Sequence, residues 1–276
     1  SFGKLGSLAR AIAAAWTPSA LWPTGTEAGM WIDPSNLTSQ WQDSTGTTPV
    51  APPGTVADSS NPVGLALDLR LGATALTDPG NHLFQATSTA RPLLSAYDGQ
   101  TLGPGNTYDA TGYPVFQLYD GVDDGMATAS FAAGTLTNDM DCLIAVRRDG
   151  SALPEIYGLY QADRTRYFGV TSEYSPNDAP SVGGCGTPTV WCDGVQLPGG
   201  TAVDRGAMND ALTIGSWHIL EFRGLDLSAW NSVCFGGYTD YCVNGAQGGI
   251  LLFPGGNTAG RDAARTWLGA KVGLTL

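Results

Sequence analysis

Positive charge is scarce in this chain. Of 276 residues 13 are Lys or Arg, against 25 Asp or Glu, for a formal net charge of −12. A protein that tracks phosphates needs a basic stripe. The sole adjacent basic pair here is Arg147-Arg148. Nucleic acid is therefore excluded as an expected partner, and an anionic membrane surface with it. Long hydrophobic runs are also missing, so no stretch reaches the ~20 residues of a membrane span. The opening residues, SFGKLGSLARAIAAAWTPSALWP, do not read as a signal peptide, because Lys4 and Arg10 straddle an apolar run that is too short. No membrane insertion and no secretory route are expected.

Histidine is nearly absent. His82 and His218 are the only two, neither stands beside a cysteine, and no C-x-x-C occurs. Zinc-site spacing is therefore lacking. The five cysteines, Cys142, Cys185, Cys192, Cys234 and Cys242, read as buried thiols of a protein made in a reducing compartment. Cys185 with Cys192, and Cys234 with Cys242, are the pairs that could each bridge a hairpin. Neither a Glu-x-Asp-x-x-Glu string nor a G-x-S-x-G elbow is present, and Glu155, Glu173 and Glu221 stand isolated. This argues against an enzyme. A glycan-degrading one would have to assemble its site from distant residues.

What the chain does have is turns and short apolar runs. Gly numbers 38 and Pro 17, while hydrophobic residues make up 42%, enough for a substantial core. From about residue 112, strand-like segments recur between turn signals: YPVFQLY, DCLIAVRR, EIYGLYQ, TRYFGVT, TVWCDG, WHILEFRG, SVCFGG and GGILLF. That pattern predicts an all-β sandwich or jelly roll over 111–276. It is closed by a short helix in NTAGRDAARTWLGAKVG, where Ala264, Trp267 and Leu268 share a face and Gly273 is the stop. Residues 27–110 are turn-rich and read as an extended segment packed on that body, with PVGLALDLRLGA (62–73) its best strand. Residues 1–26 form an amphipathic arm. Phe2, Leu5, Leu8, Ile12 and Trp16 recur at spacings of three and four, one helical face that Pro18 terminates. The arm either packs on its own domain or anchors the chain to a neighbouring subunit.

The stretch FQLYDGVDDGMATASF (116–131) crowds Asp120, Asp123 and Asp124 into one turn. A helix-loop-helix calcium loop is rejected, since Val122 stands at a ligand position and no closing Glu follows. The two Asp-Gly dipeptides predict a turn between two strands. The alternative is a loop that also holds calcium, the one cofactor in view.

Several segments carry a family resemblance. WIDPSNLTSQWQDSTGTTPV (31–50), PVGLALD (62–68) and NHLFQATSTARP (81–92) form an ordered series that resembles the front half of a family of phage and prophage virion proteins. FQLYDGVDDGMATASF is similar to the FDGVDD turn that opens laminin-G-like, or concanavalin A-like, jelly rolls. GGILLF followed by WLGAKVGLTL resembles how such chains close. Tyr119 stands where the family usually has Phe, and Gly125 where an aromatic is common. The resemblance covers about residues 28–276. It implies an all-β, concanavalin A-like (laminin-G-like) jelly-roll sandwich on a virion, assembled in the host bacterial cytoplasm. Such modules often bind glycans, and some bind calcium near loop carboxylates.

The expected function is therefore a non-enzymatic appendage subunit, a spike, fibre or decoration protein, that contributes to attachment to a host-surface glycan. It would form a homo-oligomer and meet other virion proteins through the arm. A purely structural decoration protein is the alternative. Amphipathic aromatics and polar groups suited to a sugar are Tyr157, Tyr160, Arg164, Tyr167, Trp191 and Asp193. Trp217 and Trp230 read as core.

Overall fold

The computed structural model describes residues 16–51, 61–96, 115–149, 156–163, 165–171, 182–198, 207, 210–236 and 243–276. The front of the chain supplies strands β1 (Met30–Ile32), β2 (Gln40–Trp41), β3 (Leu65–Ala66), β4 (Leu83–Phe84) and β5 (Leu93–Ser95). Then come β6 (Phe116–Asp120), β7 (Gly125–Ala127), β8 (Met140–Arg148), β9 (Ile156–Tyr160), β10 (Tyr167–Thr171) and β11 (Val182–Gly183). They are followed by β12 (Thr189–Cys192), β13 (Val195–Gln196), β14 (Trp217–Leu225), β15 (Cys234–Gly236), β16 (Asn244–Pro254) and helix α1 (Thr258–Lys271).

The strands form two eight-stranded sheets. The first runs β13-β12-β14-β8-β16-β6-β5, with β1 paired to the far half of β16; the second runs β11-β10-β9-β15-β7-β4-β3-β2. Pairing between these strands is antiparallel throughout. The described residues thus form an all-β sandwich with a short helix. No described helix is long and apolar enough to cross a membrane.

Strand alternation explains the layers. On β14, Leu220 and Phe222 face the space between the sheets, while Trp217 and Ile219 face the other way, toward α1. β8 is buried along its whole length because both of its faces are covered, which is why DCLIAVRR reads as a continuous run. The outer cluster of the first sheet packs Ala264 and Leu268 of α1 onto Leu143, Ala145, Leu251 and Phe253. Ion pairs staple the same helix down: Arg261 to Asp141 (2.7 Å), Arg265 to Glu221, and Lys271 to Asp33 (2.9 Å). Asn257 caps its N-terminus through the Gly260 N–H (2.9 Å), and Gly273 follows its end in the left-handed region.

Two features differ from the sequence reading. Residues 27–110 do not lie over a finished body: their described strands enter both sheets, β1 and β5 in the first, β2 to β4 in the second. Strands of two or three residues carry no period-2 signal. PVGLALDLRLGA is not one strand either. After Leu65–Ala66 the Asp68 carboxylate accepts the Arg70 N–H (3.2 Å) and caps a 3-10 turn, Leu69–Leu71. At the N-terminus, Trp16 packs on the outer cluster of the first sheet. Phe2, Leu5, Leu8 and Ile12 lie outside the described residues. Cys142, Cys192 and Cys234 are buried, and Cys185 and Cys192 do not form the hairpin bridge: Cys192 Sγ faces Ala211 O at 3.8 Å instead. Cys242 lies outside the described residues.

Between the sheets sits a line of buried amides. Gln40 Nε2 donates to Pro34 O (2.6 Å), Gln117 Nε2 to Gln40 Oε1 (3.0 Å), and the Tyr119 hydroxyl to Gln117 Oε1 (3.0 Å). That last bond gives Tyr119 a polar partner that Phe could not use. Gln247, the register neighbour of Gln117, is fully buried, and neither of its side-chain amide atoms has a partner among the described residues. An unpaired buried polar group costs about 1–3 kcal/mol. Gln247→Met should therefore raise stability by about 1–2 kcal/mol in a urea titration. A loss of stability would show that the amide is satisfied in solution.

Candidate functional site

The outer face of the second sheet carries one side chain per strand in lateral register. Tyr167 pairs with Tyr160, Tyr160 with Cys234, Cys234 with Ala127, and Ala127 with Phe84. Directly opposed residues point to the same face. Leu159, Phe168, Phe235, Met126 and Leu83, the alternate residues, lie in the core between the sheets, so this rung faces outward. On its neighbouring rung, Gly169 pairs with Gly158 and Gly236 with Gly125. The result is an aromatic wall at either side of a floor made of small residues and backbone. Gly125 belongs to that floor.

Two hollows meet at Phe84. One, of about 280 Å³, lies between Tyr160 and Phe84 over Ala127, Cys234 and Gly125, with Gln85 at its edge. The other, of about 210 Å³, continues past Phe84 between Leu76, Asp78, Asn81 and His82 on one bank and Thr128 to Phe131 on the other. Because Phe84 opposes Ala127, the two hollows lie end to end along the β4–β7 seam. The polar groups along it are held in place. Gln85 Nε2 donates to Gly125 O (2.8 Å), and Asn81 Nδ2 to Gly29 O (2.7 Å). His82 accepts the Asp68 N–H at Nδ1 (3.0 Å) and donates from Nε2 to Asp78 O (2.9 Å), so it positions the loop and has no nitrogen left for chemistry. Burial pushes the Cys234 thiol up to about 12, which keeps the floor uncharged.

The residues expected to bind a sugar divide between two faces of the molecule. Tyr160 and Tyr167 share the rung just described. Tyr160 is 6% exposed, so it offers a wall and not a free stacking platform; Tyr167 is half-buried. Tyr157 lies in β9 opposite Val170, and Arg164 is outside the described residues. Trp191 and Asp193 belong to the first sheet. Trp191 opposes Glu221 on the face that α1 covers, and the Arg223 guanidinium sits 3.5 Å from its ring centroid. That contact makes Trp191 part of a packed ionic layer.

Asp193 does something else. With Gly194 it forms the tight β12–β13 turn, both residues at positive φ (51° and 81°), the conformation that Asp-Gly favours. Its carboxylate accepts the Ile219 N–H (2.8 Å) and the His218 Nδ1–H (2.7 Å). Cys192 Sγ lies 3.8 Å from the same Nδ1. The three residues thus have the makings of a metal or nucleophile cluster, which a separation of 26 positions between Cys192 and His218 hides in the sequence. The hydrogen bonds argue against both uses. Thr213 N–H donates to His218 Nε2 (3.1 Å), which fixes the proton on Nδ1. A metal would need that Nδ1 lone pair. Moving the proton to Nε2 would set it against the Thr213 N–H. Burial, then the Asp193 charge, push the Cys192 thiol well above its usual range, so no thiolate forms at neutral pH.

The acidic turn is a crossover. β6 pairs with β16 and β5 in the first sheet, β7 with β15 and β4 in the second, so DGVDDG carries the chain between sheets and does not close a hairpin. Asp120 Oδ1 accepts the Val122 N–H (2.8 Å), and Asp124 Oδ2 the Asp120 N–H (3.0 Å). These bonds fit the turn role. Asp120, Asp123 and Asp124 each present an oxygen within 4.8 Å of the others. Burial, then the Asp120 charge, raise the Asp124 carboxyl from 3.8 to about 7.

A carboxyl raised in the folded state favours folding while it is protonated. The advantage is complete below its unfolded value and is lost as pH rises through the folded one. Stability should therefore fall between about pH 4 and pH 7 by up to about 4 kcal/mol, at about 1.4 kcal/mol per unit. Asp124→Asn keeps the acceptor for the Asp120 N–H. It should stabilise by roughly 1–3 kcal/mol at pH 8 and by almost nothing at pH 4. Equal effects at both pH values, read from urea midpoints, would contradict this.

Phe84, Gln85 and Ala127 were not singled out by sequence reasoning, and Cys234 was named only as one half of a hairpin bridge. A signal existed: Tyr160/Gly158, Tyr167/Gly169, Cys234/Gly236 and Phe84/Ala86 each place a larger side chain two residues from a Gly or Ala. It becomes readable only when the strand order is known. Compared with protein-family models, curated proteins and solved structures, the chain matches none.

Proposed function

We propose that this chain is a non-enzymatic subunit of a phage or phage-like particle, a concanavalin A-like jelly roll that holds a host-surface glycan on the outer face of its second sheet. The observation that carries the reading is the rung Tyr160–Cys234–Ala127–Phe84, with small residues between aromatic walls. Pyranose rings bind where an aromatic wall meets a few fixed polar groups, and Gln85 supplies such a group here. The virion setting rests on the resemblance of residues 28–276. Two observations support a role without catalysis. Glu221 is clamped by Arg223 and Arg265, and both His218 nitrogens are occupied.

The test is glycan-array binding by the full chain and its variants. Phe84→Ala should weaken binding by about 1–2 kcal/mol, up to roughly thirtyfold, by loss of one aromatic wall. Trp191→Ala, on the other face, should leave the affinity of the folded protein unchanged. Array binding that follows Trp191 and ignores Phe84 would overturn the assignment.

A further inference from the structure

Resting on the reading of the β4–β7 seam as a saccharide site, we infer that its ligand is an uncharged, linear glycan long enough to cover both hollows. The charge argument comes first. No Lys or Arg among the described residues lines either hollow. Arg91 is nearby but turned to the backbone, donating to Gln85 O (3.0 Å), Ala86 O (2.9 Å) and Gln42 O (3.1 Å). The ionised group at the rim is Asp78, whose carboxylate accepts the Thr74 and Ala75 N–H groups (2.7 and 2.9 Å). Those bonds hold its carboxyl below the usual range, so it stays negative. A uronate, phosphate or sulfate seated here would lose water without gaining a cation, beside a fixed negative charge, in a chain of net charge −12. Hydroxyl-bearing rings meet no such penalty.

The length argument follows from the seam. Phe84 belongs to both hollows, so a ring on either side of it touches the same aromatic edge. Residues 125–131 bound the two hollows in turn, and at ~3.3 Å per residue they can span at most about 20 Å. A single ring would fill one hollow and leave the other bare. Tyr160 bounds the first hollow on the side away from Phe84, and the exposed Leu76 and Ser130 mark the far end of the second.

The experiment uses the full chain on an array of polysaccharides paired by charge, neutral hexans beside their uronate counterparts, followed by titration with the bound glycan cut to two and to six rings. The expected result is binding confined to neutral glycans and insensitive to salt up to about 0.5 M, since no ion pair is involved. The hexamer should bind at least about tenfold tighter than the dimer. Ser130→Trp blocks the second hollow at an exposed position and should reduce the hexamer to the dimer's affinity. Preference for the acidic member of a pair, abolished by Ala127→Trp, would keep the site and overturn the neutral ligand. A hexamer affinity untouched by Ser130→Trp would overturn the two-hollow span. Absence of binding across the array would overturn both this inference and the saccharide reading beneath it.

Discussion

Ala127→Trp should abolish saccharide binding while leaving the protein folded. Ala127 lies at the centre of the rung, between Cys234 and Phe84, with its side chain on the outer face and part of it exposed. An indole there fills the hollow of about 280 Å³ from its floor. It displaces no core residue, because Met126 is the neighbour that points inward. The variant separates two roles that Phe84→Ala mixes, since Phe84 also packs against the Leu65, Leu67 and Ala73 cluster. A loss of at least about a hundredfold in affinity, some 2.7 kcal/mol, is expected with a melting temperature within a few degrees of wild type. Retained affinity in a folded Ala127→Trp protein would place the ligand elsewhere.

The second large effect is on stability. Glu221 is fully buried on the outer face of the first sheet. It accepts from Arg223 Nη2 (2.8 Å) and from Arg265 of α1, which also reaches Asp262 (2.8 Å). Glu221→Gln keeps the shape and removes the charge, leaving two guanidinium groups close together and short of an anion. Breaking a buried pair by removing one partner costs about 3–5 kcal/mol. For a protein of this size that corresponds to a fall of roughly 10 °C in melting temperature. Replacing the cluster together, Glu221→Leu with Arg223→Met and Arg265→Met, should recover most of the loss, because the desolvation penalty disappears with all three charges. If the triple variant is as unstable as the single one, the cluster acts by some route other than its charge. In either variant the folded protein should bind glycan as wild type does, since α1 covers the opposite sheet.

The body of the fold was legible where elements are long. β8, β14 and β16 announce themselves as apolar runs, and α1 by the shared face of Ala264, Trp267 and Leu268. The front strands were not, because Gln40–Trp41 or Leu83–Phe84 offers two residues and no period. Their place is set by partners far along the chain, Phe84 against Ala127 being one case. DGVDDG was readable as a turn from its Asp-Gly chemistry, but turn chemistry does not say which sheet the next strand joins.

The same limit governed the site. Tyr160 and Tyr167 were expected to act together because they lie close in sequence, and strand pairing sets them side by side. Trp191 looked equivalent from sequence, yet its strand lies in the other sheet, against Glu221 and Arg223. Cys192, Asp193 and His218 show the reverse case. Folding brings together residues that no spacing rule connects, and a single backbone N–H, from Thr213, then decides what they can do.

The most direct test of the central claim is amide chemical-shift mapping of the full chain titrated with a bound glycan. The groove assignment predicts shifts at Gln85, Gly125, Ala127, Tyr160 and Cys234, extending to Thr128 and Ser130 with longer oligomers, and none at Trp191, Asp193 or His218. Shifts confined to the Trp191–His218 corner would contradict it.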